Sequence, residues 1–176
     1  MDDEPIPLDQ VYAAIEQSIA RTIPALAFVG TMPDRLDRVA LPAVVIELVE
    51  WEPGPDPGTG ETGVEARFEA RVIVAGEEEN SLRIAAFTAA QLTVLLRMQT
   101  WGLAVEQAQF VRAAQDWTRP ELDGYAVWVV EWTQVIYLGE QEWPWPNQPP
   151  GTLVFGFAPD TGPGSEDQYL PPESME

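Results

Sequence analysis

The side chains of this chain that could take part in chemistry are carboxylates, hydroxyls and arginines. Its 176 residues include 29 Asp and Glu, nine basic residues that are all arginine, and neither Cys nor His. The imidazole and amine bases, the thiol nucleophile and the commonest metal ligand are therefore missing. The sequence also contains no P-loop, dinucleotide fingerprint, nucleophile elbow or metal-ligand spacing. We predict that the protein is not an enzyme and has no catalytic, cofactor-binding or metal site.

Three stretches come nearest to a chemical site, and each has a simpler explanation. The acidic run 77–79 could hold a hard cation such as Ca²⁺, but acids just ahead of a helix are more often solvated and favoured by the helix dipole. Asp116, Glu121 and Asp123 cluster around a turn, which turn chemistry explains better. The glycine-rich segment 53–63 lacks the lysine and the following helix of a phosphate cradle.

The charge of the chain restricts its partners. The net charge of −20 divides into −13 before Gly139, from 22 acids against nine arginines, and −7 from there to the C-terminus. Such a surface repels nucleic acid at ordinary salt, because phosphate binding needs a positive footprint. The protein could mimic DNA or line a conduit through which DNA slides without sticking. Acidity that serves only solubility explains the charge equally well.

The sequence gives no sign of a membrane or secretion signal. No stretch approaches 18 uninterrupted apolar residues, and residues 1–4 are acidic where a signal peptide would be basic. We therefore expect no transmembrane helix and assembly in the cytoplasm. A domain of this size can bury a core without disulfides, and the lack of cysteine leaves the redox compartment open.

The composition changes at Gly139. Residues 1–138 have the pattern of a compact domain, whereas residues 139–176 contain eight prolines, five glycines, seven acids and no basic residue. This segment also carries large aromatic residues, which a purely solvated tail normally lacks. They are Trp143, Trp145, Phe155, Phe157 and Tyr169. We predict an extended acidic arm whose aromatic side chains contact another subunit or partner. The alternative is that they fold back onto their own domain.

Hydrophobic periodicity predicts two helices and four strands in residues 1–138. Residues 8–21 form a helix with one apolar face, and residues 81–99 form a helix that is apolar on more than one side and could be partly covered by a second subunit. The predicted strands are 41–52, 64–74, 109–113 and 125–138. Residues 25–40 are predicted to be a connecting loop, and residues 53–63 the tip of the first hairpin.

Two of these strands have patterns that bear on function. Strand 64–74 alternates Glu and Arg on one face, which suits a charge ladder with a neighbouring strand or subunit, although an ordinary solvated face explains it as well. Strand 125–138 has large residues on both faces, so it is central in the sheet or covered by a partner. The order α–β–β–α–β–β predicts an α+β fold: a mostly antiparallel four-stranded sheet with helices packed on one face, followed by the extended C-terminal arm.

This set of elements resembles the tail terminator (tail completion) proteins of tailed bacteriophages and the related minor tail proteins of Mu-like phages. The resemblance covers residues 8–138. It rests on the initial helix, the strand beginning Leu41-Pro-Ala-Val-Val-Ile-Glu-Leu, the glycine-rich tip at 53–63, the partner strand at 68–74, the central helix 81–99 and the closing strand 128–138.

Members of that group are small α+β proteins that form a hexameric ring on the tail tube and join it to the head; they are not enzymes. The resemblance implies a structural virion protein at the head-proximal end of the tail, acting as a homo-hexamer. Its partners would be tail tube and head–tail connector proteins, with DNA only as passing cargo and no membrane. No residue of the pattern is diagnostic, so no functional residue is carried over, and the arm at 139–176 extends beyond the family pattern.

Two other functions compete with this one. The first is an acidic DNA mimic that inhibits a nucleic-acid-binding protein. Mimicry needs acids at phosphate-like spacing on one face, whereas here they interleave with arginines in strand 64–74 or lie in turns. The second is a carboxylate-based hydrolase, which needs a carboxyl group in a desolvated pocket. Two buried acids that face each other would favour it.

Overall fold

The computed structural model describes residues 6–32, 39–142, 154–159, 161, 164 and 166–170. The chain divides into two compact units, Met1–Trp143 and Pro144–Glu176. The separate role predicted for residues 139–176 stays a prediction. None of the helices in the described part of the chain is long and apolar enough to cross a membrane.

The described residues of the first unit form two α-helices and five β-strands. They are α1 (Leu8–Thr22), β1 (Phe28–Thr31), β2 (Ala43–Pro53), β3 (Thr62–Ala75), α2 (Ser81–Leu95), β4 (Gln109–Gln115) and β5 (Tyr125–Leu138). The strands form one sheet in the order β1-β2-β3-β5-β4. Strand β1 runs parallel to β2, and the remaining neighbours are antiparallel.

The predicted α+β class is confirmed, but the sheet has five strands and is mixed. The error lies in β1, which falls inside the segment predicted to be a loop. Its four residues are too few to show an alternating pattern, and Gly30 looked like a loop signal. In the structure that glycine makes room for a neighbour, because a Cβ at Gly30 would lie 2.8 Å from the Phe28 ring.

Both helices pack on one face of the sheet, as predicted. The core beneath them combines apolar residues from α1, α2, β2, β3 and β5. At its centre the Phe68 ring stacks on Trp132 with centroids 5.3 Å apart, and Tyr12 of α1 meets Phe68 edge-on at 6.1 Å. The Tyr12 hydroxyl also accepts a hydrogen bond of 2.9 Å from the backbone N–H of Leu48. Helix α1 is thus fixed to β2 and β3 by both packing and a polar contact.

A β-bulge in β2 determines the face of the sheet on which Trp51 lies. The register shifts between Leu48 and Glu50, so that Glu50 pairs with Arg67 and Trp51 pairs with Ala66. The extra residue places Trp51 on the helix-covered face, although simple alternation puts it on the opposite one. No local sequence signal marks the position of this bulge.

Strand β5 lies between β3 and β4, which confirms its predicted central position. Its helix-side face includes Gln134, which is 1% exposed among apolar neighbours. The Gln134 side chain accepts a hydrogen bond of 2.7 Å from the Trp101 indole and donates one of 2.7 Å to the carbonyl of Glu106. These two bonds attach the connection that follows α2 to the sheet, so the buried amide is satisfied.

The ends of α2 differ from the prediction. The helix stops at Leu95, because residues 96–98 form a turn, so the predicted end at Gln99 is four residues too late. Asn80 is of a residue type that predicts an N-cap, and it occupies that position, but with a left-handed backbone (φ 61°) and no capping bond from its side chain. Gly102, whose residue type is common just after a helix, lies instead in the connection to β4 with a φ of 76°.

Candidate interaction surfaces and a charged cluster

The sheet face opposite the helices carries a cluster of paired charges. In the sheet register Glu47 of β2, Glu69 of β3 and Glu131 of β5 are direct cross-strand neighbours, and Arg112 of β4 pairs with Glu131 at the end of that row. Like charges placed opposite one another on neighbouring strands destabilise a sheet. The row is therefore stable only if cations neutralise it.

Arginines supply that neutralisation. The guanidinium of Arg71 donates to Glu47, Glu69 and Asp116, the last over 2.8 Å from its Nε. Arg119 binds Glu47 at 2.8 Å, and Arg112 binds Glu131. The predicted charge ladder of strand 64–74 is thus formed inside one chain, between neighbouring strands. We call the set Glu47, Glu69, Arg71, Arg112, Asp116, Arg119 and Glu131 the charged cluster.

The pKa shifts in the charged cluster follow from this pairing. Burial alone would lower the pKa of Arg71, but the hydrogen bond to Asp116 and the charges of Glu69 and Glu47 raise it above its ordinary value. Burial opposes ionisation of Asp116, yet its hydrogen bonds from Thr118 and Arg71 lower its pKa below the ordinary value. Both groups are therefore held in their charged forms.

The loop after β4 folds over part of this face. The Asp116 backbone N–H bonds to the carbonyl of Val127 at 3.0 Å, and its carboxylate accepts hydrogen bonds from the Thr118 N–H (2.9 Å) and hydroxyl (2.6 Å). Leu122 then packs with Val45, Ile73 and Val127 in a second, smaller core. The expected turn chemistry of Asp116 is confirmed, and the structure adds its ion pair to Arg71.

The charged cluster contains the arrangement of carboxylates that would favour a hydrolase, so its chemistry matters. The side chains of Asp116 and Glu131 are 4% and 6% exposed, and Glu69 lies beside Glu131 in the register. A general acid, however, needs a carboxyl whose pKa is raised by its site. The pKa of Asp116 is shifted the other way, and Glu131 and Glu69 are bound to arginines. The geometry is that of a structural ion-pair network.

The other predicted chemical stretches remain separate from the cluster. Residues 77–79 are exposed in the turn before α2, and residues 54–61 form the tip between β2 and β3. Asp56 in that tip accepts a hydrogen bond from the Gly58 N–H at 2.8 Å, a local turn contact. Within the described residues, no group of three or more His, Cys, Asp or Glu side chains is placed to hold a metal ion.

The outer surface of α2 is the most unusual exposed surface of the first unit. Phe87, Val94 and Met98 are 65%, 75% and 67% exposed, and Leu82 is 50% exposed. Phe87 and Val94 lie seven residues apart, so they are on the same side of the helix. We call Phe87, Ala90 and Val94, together with Met98 in the turn that follows the helix, the α2 outer face.

The inner face of α2 is built mainly from small side chains. The buried residues of the helix are Ala85, Thr88, Ala89 and Leu92. Small residues let a helix approach a sheet closely, but here they leave larger apolar residues pointing outward. A soluble monomer normally places the large apolar side chains inward. Large exposed apolar side chains of this kind are typical of an interaction surface.

The α2 outer face also differs from the rest of the chain in charge. The only charged residues from Ser81 to Met98 are Arg83 and Arg97. Both side chains are exposed, and neither has an ion-pair partner among the described residues. A protein with a net charge of −20 thus carries one apolar surface flanked by Arg83 and Arg97, with the acidic run 77–79 in the turn before its first residue.

The predicted contact residues of the C-terminal segment are only partly described. Trp143 and Trp145 lie outside the described residues. Phe155 forms an isolated antiparallel bridge with Leu170, with N–H···O distances of 2.8 and 2.9 Å in the two directions. Phe155 and Phe157 are 40% and 58% exposed. Tyr169 lies beside Gly156, where a Cβ would come within 2.5 Å of its ring.

This second unit therefore brings three of the five predicted residues into one local structure. The bridge joins Phe155 to Leu170, and Val154 and Leu170 add further exposed apolar surface. The short 3₁₀ helix Glu166–Gln168 precedes Tyr169 and carries two acids. The role of these residues in partner contact stays a prediction.

An open groove lies between α1 and β1. It is lined mostly by small and apolar side chains of these two elements, with Trp101 and Leu103 at one end. Glu16 is in this lining, and burial raises the pKa of its carboxyl above the ordinary value. No polar partner of the Glu16 side chain is present among the described residues, so nothing in the groove points to a particular ligand.

Comparisons with known proteins find distant similarity among solved structures. No family model matches the chain, and no curated protein matches it. The chain is similar to one from a solved structure described as "Virion of native gene transfer agent (GTA) particle". The TM-score is 0.49 and the sequence identity 15%, over 72% of this chain and 94% of that one. At this identity and score the similarity carries no inference about function.

Proposed function

We propose that this protein is a structural subunit of a phage-type virion. In the specific form of the proposal it is a tail terminator, which forms a ring on the tail tube and joins it to the connector on the head side. It has no enzymatic activity of its own. The observation that carries the proposal is the α2 outer face, whose large exposed apolar side chains need a partner.

A ring requires two different complementary surfaces on each subunit. The α2 outer face is one candidate. The exposed apolar residues of the second unit, Val154, Phe155, Phe157 and Leu170, are another. Neither surface includes a group with catalytic geometry, which suits a protein that works by assembly. The element order that resembles tail terminators supports the specific form of the proposal.

The distribution of charge fits passage of DNA better than mimicry of DNA. A mimic must present free anions at phosphate-like spacing. Glu47, Glu69, Asp116 and Glu131 on the charged sheet face are instead bound to Arg71, Arg112 and Arg119. The remaining acids are spread over α1, the strands, the turns and the C-terminal segment, and this negative charge discourages DNA from adhering. A DNA mimic is therefore the weaker candidate.

Assembly of the purified chain tests the proposal. Native mass spectrometry and negative-stain imaging should show rings, either of the chain alone or after its addition to isolated tail tubes, with the rings at the tube ends. Deletion of residues 140–176 should weaken these contacts while the first unit still folds, as judged by circular dichroism. A chain that forms no rings and binds no tail tubes would overturn the proposal. If the truncated chain assembles normally, residues 140–176 do not contribute to the contacts of the ring.

A further inference from the structure

We propose that the α2 outer face is the docking surface for the C-terminal segment, residues 139–176, of a second copy of this chain. The proposal rests on the proposed function, because it names the two surfaces through which neighbouring subunits would bind. The charge, the side-chain sizes and the spacing of the two surfaces favour this segment as the occupant.

Charge complementarity selects the occupant. The α2 outer face has Arg83 near one end and Arg97 near the other, with no acid between them. The C-terminal segment has seven acids and no basic residue. The strip from Arg83 to Arg97 is thus opposite in sign to the segment, and the acidic run 77–79 lies outside it, in the turn before α2. Complementary charges of this kind favour the correct pairing and its orientation.

The apolar parts match as well. Phe87 and Val94 are among the most exposed large apolar side chains of the first unit, and Phe155 and Phe157 are their counterparts in the second. Aromatic side chains commonly supply the main anchors of an interface. The prolines of the segment restrict its backbone, so less entropy is lost when it becomes ordered. Contact between the two surfaces would remove the apolar side chains of both from water.

The spacing along α2 defines a continuous strip. Arg83, Phe87, Ala90 and Val94 follow one another at intervals of four, three and four residues. At 100° per residue they share one side of the helix and span about 16 Å. An extended segment covers that length with roughly five residues. The alanine at the middle of the strip leaves space for a large side chain from the partner.

An interface between two different patches of one chain is heterologous, and such an interface closes a ring when the rotation between subunits allows it. Contact of α2 with α2 would instead be isologous and bring Arg83 and Arg97 of both copies together, with no acid on the helix to balance them. The charges therefore favour the arm over a second α2.

Disulfide cross-linking of the full chain tests this, because the natural sequence has no cysteine. Two variants are made, Val94→Cys and Phe157→Cys, one of them with a mass tag, and mixed under the conditions of the assembly assay. We expect a cross-linked species that contains one copy of each variant. Arg83→Glu together with Arg97→Glu should reduce its yield roughly tenfold. Arg21→Glu, at an exposed arginine of α1, should leave it unchanged and is the matched control.

The other outcomes overturn the inference. They are a cross-link between two Val94→Cys copies, a cross-link within one chain that carries both substitutions at high dilution, an equal effect of Arg21→Glu, or no cross-link in assembled rings. Rings without the mixed cross-link would remove this inference but leave the proposed function standing. A mixed cross-link in a chain that never forms rings or binds tails would support this inference but overturn the proposed function.

Discussion

Helices α1 and α2 have the same length and pack on the same face of the sheet, yet their outer surfaces are opposite in character. The buried residues of α1 include Val11, Ile15 and Ile19, and its exposed positions are polar residues and alanines. Helix α2 buries mainly alanine and threonine and exposes Phe87 and Val94. Helix α1 therefore has the pattern of a helix whose outer side faces solvent, and α2 has the pattern of a helix packed between two surfaces.

This difference predicts that α1 contributes mainly to the stability of the fold, whereas the exposed side of α2 contributes mainly to assembly. The large side chains of α1 stabilise the fold, since their apolar area is removed from water within one chain. The large exposed side chains of α2 contribute little to the stability of the isolated fold, and only a partner would bury them. Substitutions of similar size in the two helices should therefore affect different measurements.

The largest effect is expected from the buried face of α1. Ile15 is 0% exposed, and Ile15→Ala removes its contacts in the core and leaves a cavity. The free energy of unfolding in urea should fall by about 2–5 kcal/mol. Gln17→Ala, on the exposed side of the same helix, should change it by less than about 0.5 kcal/mol. Similar losses in both variants would show that α1 lacks the one-sided character described above.

The small residues under α2 give the next largest effect. Ala89 is 1% exposed, and Ala89→Leu would force side chains into the space between helix and sheet. We expect the unfolding free energy to fall by about 1–3 kcal/mol. Ala90→Leu makes the same change one position along, where the side chain is exposed, and should have almost no effect on the isolated chain. If Ala89→Leu were neutral, α2 would not need its small residues for close packing.

Much of this contrast between the helices could be predicted from the sequence. The one-sided periodicity of α1 is unambiguous, and its predicted range differs from the observed one by a single residue at the C-terminal end. The sequence also showed that α2 is apolar on more than one side. It did not show which side faces the sheet, because packing distance decides whether alanine or phenylalanine fits. The alanines at positions 85 and 89, which are four residues apart, are the sequence feature that indicates the side packed closely on the sheet.

Other features depend on contacts distant in sequence and could not be predicted. The strand at 28–31 is defined by its pairing with β2, and the bulge in β2 is defined by its partner strand. The charged cluster combines residues from β2, β3, β4, β5 and the loop after β4. The alternation of Glu and Arg predicted a ladder, but the burial of Arg71 requires the loop from Asp116 to fold over it.

Loss of a hydrogen bond in the connection after α2 should have an intermediate effect on the free energy of unfolding. The Trp101 indole donates to Gln134, whereas the buried Trp132 indole N–H has no hydrogen-bond partner. Trp→Phe shortens both side chains, but only at Trp101 does it leave a buried amide oxygen unpaired. We expect Trp101→Phe to lower the unfolding free energy by about 1 kcal/mol more than Trp132→Phe does. An equal loss in both would mean that the bond does not hold the end of α2 in place.

The exposed side of α2 is expected to contribute almost nothing to the isolated fold. Phe87→Ser and Val94→Ser should each change the unfolding free energy by less than about 0.5 kcal/mol at a concentration where the chain is monomeric. The same variants should form fewer rings in native mass spectrometry. If they unfold more easily and assemble normally, the α2 outer face is part of the core and the contrast with α1 is wrong.

The smallest effect concerns the only perturbed carboxyl of the two helices among the described residues, Glu16 of α1. Burial raises its pKa in the folded chain, so its ionised form is less favourable there than in the unfolded chain, where the pKa is about 4.3. Folding is therefore opposed at pH values above the raised pKa, and this cost disappears as the pH falls below the unfolded value. Glu16→Gln should stabilise the chain at pH 7 by up to about 0.5 kcal/mol. The gain over the natural chain should shrink and vanish as the pH falls below the pKa of Glu16 in the unfolded chain. A gain that stays constant with pH would come from the change of side chain alone, and would show that the α1 groove does not disfavour the charge.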